Sequence, residues 1–154
     1  MIATRVLCEL DIDAILSFSL APNDPSWTKK ALEQALNGAL SGSYIALVGV
    51  DEVSGQVVGY AVASYLFDQA DVQNIIVNQP YRGHGIGRSL LQALTQNLMD
   101  QAVKNIFLEV RASNRAAVKL YQSMGFVHIQ KRRNYYPGVG VEREDALVFS
   151  LACL

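Results

Sequence analysis

The chain has 154 residues, 51% of them apolar, and a formal net charge of −1. That length suits a single domain spanning residues 1–154 with a sizeable core, and the apolar share excludes a disordered chain. The balanced charge leaves no footprint for nucleic acid or a membrane surface, no apolar run reaches spanning length, and no leader-like segment opens the sequence, so a cytoplasmic protein is expected. Cys8 and Cys153 lie near opposite ends without metal-ligand spacing. They read as small apolar core residues in a reducing compartment.

In chain order, residues 2–7 read as a strand, and Asp11 or Asp13 as the cap of a short helix through Ile12, Ile15, Leu16 and Phe18. Ala21-Pro22-Asn23-Asp24-Pro25 breaks that helix. A second helix is expected from near Ser26, with Trp27, Ala31, Leu32, Ala35 and Leu36 on one face, stopping at Asn37-Gly38. Strands near 43–50 and 57–66 form a hairpin across the turn at 51–56, and Asp68-Gln69 leads into a fourth strand near 70–77. A turn at Asn78–Pro80 follows. Ile86, Leu90, Leu91, Leu94 and Leu98 then form one helical stripe that fades near Gln101. Residues 105–110 are a strand. Ser113 or Asn114 caps a helix carrying Ala117, Leu120, Tyr121 and Met124, and Gly125 ends it. Residues 126–134 read as a strand, 135–142 as a loop, and 145–152 as a last strand. The order β-α-α-β-β-β-α-β-α-β-β places meander strands first and crossovers later, which implies an α/β mixed sheet with helices on its faces.

Between the fourth strand and its helix stands Tyr81-Arg82-Gly83-His84-Gly85-Ile86-Gly87-Arg88. Strand, glycine loop and helix start is the arrangement that holds an anion, because unpaired N–H groups face it and glycine lets it approach. A plain glycine-rich helix start is the alternative. Two familiar phosphate motifs fail here. The dinucleotide fingerprint beginning at Gly83 and Gly85 needs a third glycine where Arg88 stands, and a Walker loop needs lysine at that same position.

The pattern Arg82-x-x-Gly85-x-Gly87 resembles the pyrophosphate loop of the GCN5-related N-acetyltransferases. The second half of that family's pattern follows 27 residues beyond Gly87, as Asn114, Leu120-Tyr121 and Gly125-Phe126, with a strand between. Leu108-Glu109-Val110-Arg111-Ala112-Ser113-Asn114, Arg132-Arg133-Asn134-Tyr135-Tyr136-Pro137 and Arg143-Glu144-Asp145-Ala146 resemble the RimI branch. That branch acetylates the N-terminal alanine of the eighteenth small-subunit ribosomal protein. The likeness runs from about residue 70 onward and is weaker before it, where Trp27 after a proline-containing turn is its clearest point.

The resemblance implies a mixed, mostly antiparallel sheet of about seven strands with helices on both faces. It also implies direct acetyl transfer from acetyl-CoA to a protein N-terminal amine. Ile75, Ile76 and Val77 would offer backbone groups to the pantetheine arm. Arg82, Gly83, His84, Gly85, Ile86, Gly87 and Arg88 would surround the pyrophosphate, and Asn114 would contact the cofactor as well as cap its helix. Glu109 would be the base, directly or through a water, and Tyr121 the acid. Tyr135 and Tyr136 would line the acceptor groove.

The residues themselves allow plainer readings. Glu109 is a candidate base if buried, and otherwise a solvated residue on a half-exposed strand. Tyr121 shares an apolar stripe and could simply pack. Arg82 and Arg88 could be solvated, His84 exposed, and the two tyrosines packing residues. The charge run 142–145 is either a solvated loop or an attractor for a cationic acceptor. His84 and His128 lack ligand-spaced neighbours, so no metal is expected. No serine or cysteine nucleophile motif appears, which favours direct transfer. Other acceptors (a lysine, a polyamine or a small amine) and a non-catalytic CoA-binding module stand as alternatives, and the protein is expected as a monomer or weak dimer.

Overall fold

The computed structural model describes residues 1–20, 24, 27–138 and 142–153. Its elements are β1 (Ile2–Val6), α1 (Asp11–Leu16), α2 (Lys29–Ser41), β2 (Tyr44–Asp51), β3 (Val57–Leu66), β4 (Gln69–Val77), α3 (Ile86–Asp100), β5 (Asn105–Arg111), α4 (Arg115–Ser123), β6 (Val127–Pro137) and β7 (Arg143–Ala152). A 3-10 turn at Gln79–Tyr81 joins β4 to the glycine loop. The strands form one sheet in the order β1-β2-β3-β4-β5-β7-β6. Only the β4–β5 contact is parallel. The expected mixed, mostly antiparallel seven-stranded sheet is therefore present.

The apolar runs of β2 and β3 are explained by helices on both faces. On one face, the α3 stripe of Leu90, Leu91, Leu94 and Leu98 packs with Leu47, Ala61, Ala63, Ile106, Leu108 and Phe149. On the other, Ile12, Ile15, Leu32 and Ala35 of α1 and α2 pack with Ala46, Val48, Tyr60 and Val62. This second cluster draws no residue from β5, β6 or β7. Among the described residues no helix covers the outer face of those three strands, and that is where part of the site lies. No helix among the described residues is long and apolar enough to cross a membrane.

Several boundaries differ from the sequence expectation. Neither Asp11 nor Asp13 caps α1. Asp11 is buried inside its first turn, where it accepts from the Cys8 N–H and pairs with Arg5 at 2.8 Å. Thr28, rather than Ser26, caps α2 through its side chain, and the helix passes Gly38 to end at Gly42 with φ +84°. Gly38 is there for packing. A Cβ would stand 2.5 Å from the Tyr44 ring, which occupies that space. The expected break lies outside the described residues at 21–23 and 25, and so does Ser26. β6 continues through Tyr135, Tyr136 and Pro137, because β7 pairs with it beyond an irregularity between Arg132 and Tyr136. Residues 139–141 of the expected loop lie outside the described residues. Both cysteines are free; Cys8 is exposed and is not the core residue expected, whereas Cys153 is half-buried and packs against the core.

Candidate functional site

β4 and β5 are paired at only three positions, Gln69 with Asn105, Ala70 with Ile106 and Asp71 with Phe107. The separation has a local cause. Against β3, Val72 pairs with Ala63 and Asn74 with Val62, so Gln73 is an extra residue in β4. Such a bulge bends its strand and interrupts the ladder. Beyond it, Val72–Val77 of β4 and Leu108–Arg111 of β5 line the two sides of a cleft of about 560 Å³. The glycine loop closes one end, and Ala117, Leu120 and Tyr121 of α4 form a wall. The facing strand edges carry no ladder partners past Asp71. An extended ligand could pair with such an edge as an added strand.

The loop is shaped by its glycines. Gly83 (φ +82°) and Gly85 (φ +77°) hold left-handed conformations, and Gly85 starts α3 with no side-chain cap. The first-turn N–H groups of α3 thus lack a capping side chain at the cleft end, and no carboxylate stands in that turn. A Cβ on Gly87 would point between Leu120 (3.6 Å) and Val77 (3.9 Å), two residues of the cleft lining.

The charged side chains of the loop are already engaged. Arg82 donates to the Val77 carbonyl at 3.0 Å and pairs with Asp24 at 2.6 Å. Arg88 donates to Ser123 Oγ at 2.6 Å. Both line the cleft, whereas His84 is exposed and outside its lining. An anion in this loop would therefore be met chiefly by main chain. Asn114 lines the cleft while its Oδ1 accepts from the Ala117 N–H at 3.2 Å, so it caps α4. Ile75 and Val77 are half-buried and Ile76 buried; all three line the cleft.

Glu109 alternates with the buried Leu108 and Val110, so its side chain is on the sheet face opposite α3 and α4. It is not shut in an apolar pocket, as the burial-dependent argument required. Its side chain is 30% exposed and pairs with Arg132 at 3.2 Å. Tyr121 is on the opposite side, packed against Phe126 and Phe149. Burial, with a smaller contribution from Tyr136, pushes its phenol up to about 12. It stays protonated at neutral pH and keeps a proton to donate.

A second cavity of about 500 Å³ opens on the outer face, lined by Asp71, Phe107, Ile129, Gln130, Arg132 and Val148 among others. It shares Val72, Gln73, Leu108, Glu109 and Tyr136 with the first cleft. The gap between β4 and β5 is thus flanked from both faces of the sheet, with Glu109 and Tyr136 common to the two cavities. Tyr136 meets Tyr135 edge to face at 5.2 Å. Tyr135 is 42% exposed and lines neither cavity.

Sequence reasoning missed Arg111 and Arg132. Their guanidinium groups lie over the Tyr136 and Tyr135 rings at 4.7 and 5.2 Å, and each pairs with a carboxylate. The charge run 142–145 was the available signal, and its solvated-loop reading is wrong for three members, since Arg143, Glu144 and Asp145 begin β7 and all bond through their side chains. Glu144 accepts from Arg111 and from the Ser113 N–H, and Asp145 from the Asn134 N–H. Those bonds engage two of the three carboxylates that were candidates to attract a cationic acceptor, Glu144 and Asp145. Among the described residues no group of His, Cys, Asp and Glu is placed to hold a metal.

A sheet split between two parallel strands, with a glycine loop and helix start at the mouth of the split, makes a cleft for an extended ligand with an anionic end. The acetyltransferase (GNAT) family profile matches residues 12–126, and the chain belongs to that family. Among its relatives, the [ribosomal protein bS18]-alanine N-acetyltransferase of Escherichia coli (strain K12) is 42% identical over 98 residues, 64% of this chain and 66% of that protein, just under two thirds of its length. The protein of the same name from Haemophilus ducreyi is 32% identical over 147 residues, 96% of this chain and 97% of the relative. The crystal structure of the ribosomal-protein-S18-alanine N-acetyltransferase from Escherichia coli superimposes with a TM-score of 0.86 at 32% identity, covering 99% of this chain and 94% of that one.

Proposed function

We propose that residues 1–154 form one N-acetyltransferase domain that transfers acetyl from acetyl-CoA directly to a protein N-terminal amine. Its acceptor is the N-terminal alanine of the eighteenth small-subunit ribosomal protein. The observation that carries this reading is the meeting of two cavities at Glu109 and Tyr136, one from each face of the split sheet. Such a passage lets two substrates approach one point from opposite sides without a covalent enzyme intermediate. The relatives that bear the same acceptor in their names support the choice of acceptor.

The cleft fits acetyl-CoA by its donors. The open edges of β4 and β5 suit the amide groups of a pantetheine arm, and Ile75, Ile76 and Val77 supply the β4 main chain. Main chain from Gly83 to Arg88 suits the pyrophosphate. His84 contributes through backbone alone, and Arg82 contributes charge after exchanging Asp24 for phosphate.

On the acceptor side, an α-amine has a pKa near ~8, so much of it arrives protonated at neutral pH. Glu109 takes that proton, directly or through a water, and the freed nitrogen attacks the thioester carbonyl. A C–N bond forms and the C–S bond breaks. Tyr121 donates its proton to the departing sulfur, and the second proton that the acylated nitrogen loses on becoming an amide restores the phenol, so that the net products are amide, CoA thiol and the one proton held by Glu109. Tyr136 walls the point where the substrates meet, and Tyr135 supports it edge to face. The protein acts in the cytoplasm as a monomer or weak dimer.

The test offers acetyl-CoA and peptides beginning with alanine, serine or methionine, together with an N-blocked peptide carrying an internal lysine. Mass gain on the alanine-first α-amine is expected. Gain only on lysine, or only on a polyamine control, overturns the acceptor, and no transfer at all overturns the enzyme.

A further inference from the structure

Between Arg132 and Tyr136 the regular ladder of β6 and β7 fails, and side chains hold the gap. Pairing shifts between Arg132 and Tyr136, and Asn134 takes φ +50°. Arg143 donates from Nε to the Asn134 carbonyl at 2.7 Å and from Nη2 to the Tyr135 carbonyl at 2.9 Å. The Asn134 N–H donates to Asp145 at 2.9 Å. These bonds stitch the hairpin to itself. Another set ties it to the rest of the molecule. Arg111 Nη1 donates to the Pro137 carbonyl at 2.7 Å and to Glu144 Oε1 at 3.1 Å, and its guanidinium covers the Tyr136 ring. Glu144 Oε2 accepts from the Ser113 N–H at 2.9 Å.

Both partners of that ion pair are shielded, with side-chain exposures of 21% for Arg111 and 18% for Glu144. A pair so placed is screened far less than a surface one, and both carboxylate oxygens have directed donors. Its position gives it a reach that neither residue has alone. Ser113 immediately precedes Asn114, which caps α4 and lines the cofactor cleft. Tyr136 and Pro137 sit in the hairpin that borders the outer cavity. One carboxylate therefore bonds the turn that opens α4 and, through Arg111, the strand that carries Tyr136.

We infer that Arg111 and Glu144 form a latch that positions Tyr136 in the acceptor groove and couples its order to occupation of the cofactor cleft. Both are positioning residues, and the inference rests on the acceptor reading given above. Contact with CoA at Asn114 and the α4 turn steadies the Ser113 amide, the amide steadies Glu144, and Glu144 fixes Arg111 across Tyr136 and Pro137.

The decisive variant is Glu144→Gln, with Glu142→Gln, from the same charge run, as control. Hydrogen exchange of the peptide spanning residues 130–138 is measured with and without CoA. In the wild-type protein CoA is expected to slow exchange there. In Glu144→Gln, exchange is expected to be faster, and the CoA effect to be lost, while the CoA dissociation constant stays within about twofold. The acceptor KM is expected to rise about tenfold, the equivalent of one lost charge-assisted hydrogen bond, with a smaller change in kcat. Arg111→Lys keeps the charge without the planar fork and should give intermediate values of both; it also stands in if Glu144→Gln does not fold. Unchanged exchange at 130–138 in both variants, or equal effects from Glu142→Gln, overturns the latch. If the wild-type protein transfers acetyl to no N-terminal peptide, the acceptor reading fails, and the exchange measurement still decides the latch.

Discussion

The two halves of the site are made from different materials. The cleft toward α3 and α4 is built from main chain: an open strand edge, a helix start without a side-chain cap, and glycines that keep the space clear. The groove on the outer face is built from paired side chains: Glu109 with Arg132, Arg111 with Glu144, and the two tyrosines under their guanidinium groups. A main-chain site holds the part of a substrate that never changes. A side-chain site can be retuned without touching the fold, which suits the part that differs among acceptors.

If this division is right, substitutions in the two halves should separate in their kinetics. The largest effects are expected where the halves meet. Glu109→Gln and Tyr121→Phe should each lower kcat by about 10²- to 10⁴-fold while CoA still binds. Steady-state rates beside an equilibrium CoA titration would check this, and near-wild-type turnover in both variants would remove their assigned roles.

Next come the glycines, which should divide between fold and ligand. Gly87→Ala meets only ordinary contacts at 3.6 and 3.9 Å, so the melting temperature should hold while CoA affinity falls about tenfold. Gly85→Ala must carry a side chain at φ +77°, and should lose roughly 1–2 kcal/mol of stability as well. Thermal melts with and without CoA distinguish the two.

A smaller expectation concerns alkaline pH. Burial raises the Tyr121 phenol to about 12, above its unfolded value. The stability linked to its proton is therefore fully present below the ordinary tyrosine range near 10 and is lost only as pH climbs toward about 12. The rate profile should show no loss from this phenol up to about pH 10.5; an alkaline limb below that pH that vanishes in Tyr121→Phe would contradict the raised phenol.

The smallest effect is at acid pH. Hydrogen bonding from Ser113, with help from Arg111 and against opposing burial, holds Glu144 below the ordinary carboxylate range. Its contribution is present above that range and lost as pH falls through the lowered value. Melting temperatures of wild-type protein and Glu144→Gln should therefore converge at acid pH; a gap that persists there would sink this attribution.

The same division explains what could be read in advance. The glycine loop, the Leu90–Leu98 stripe and the β2–β3 hairpin were legible because each is a local pattern with a fixed period or spacing. Local reading failed where a distant residue decided the outcome. Gly38 looked like a helix stop, but Tyr44 fills its missing side chain's space and the helix continues to Ser41. Asp11 looked like a cap until Arg5 claimed it. Tyr135 and Tyr136 looked like loop residues because nothing near them in sequence shows that β7 will pair beyond the irregularity at Asn134. The partners of Arg111 and Glu109 lie 33 and 23 residues away, at Glu144 and Arg132, and no spacing rule connects them.

The strand order has a consequence for how such a molecule is made. β7, which follows β6 in the chain, is inserted between β5 and β6 rather than added at an edge. Until residues 143–152 emerge, β6 has no neighbour in the sheet and β5 has an open flank. The elements that line the cleft, β4, α3, β5 and α4, are all complete by Ser123, but Phe149 of β7 packs with the α3 stripe and against Tyr121, so their core closes only when β7 arrives. The outer groove cannot exist before the final strand slides into place. A clipped product lacking β7 would therefore be missing both the outer groove and part of the core that supports the cleft wall.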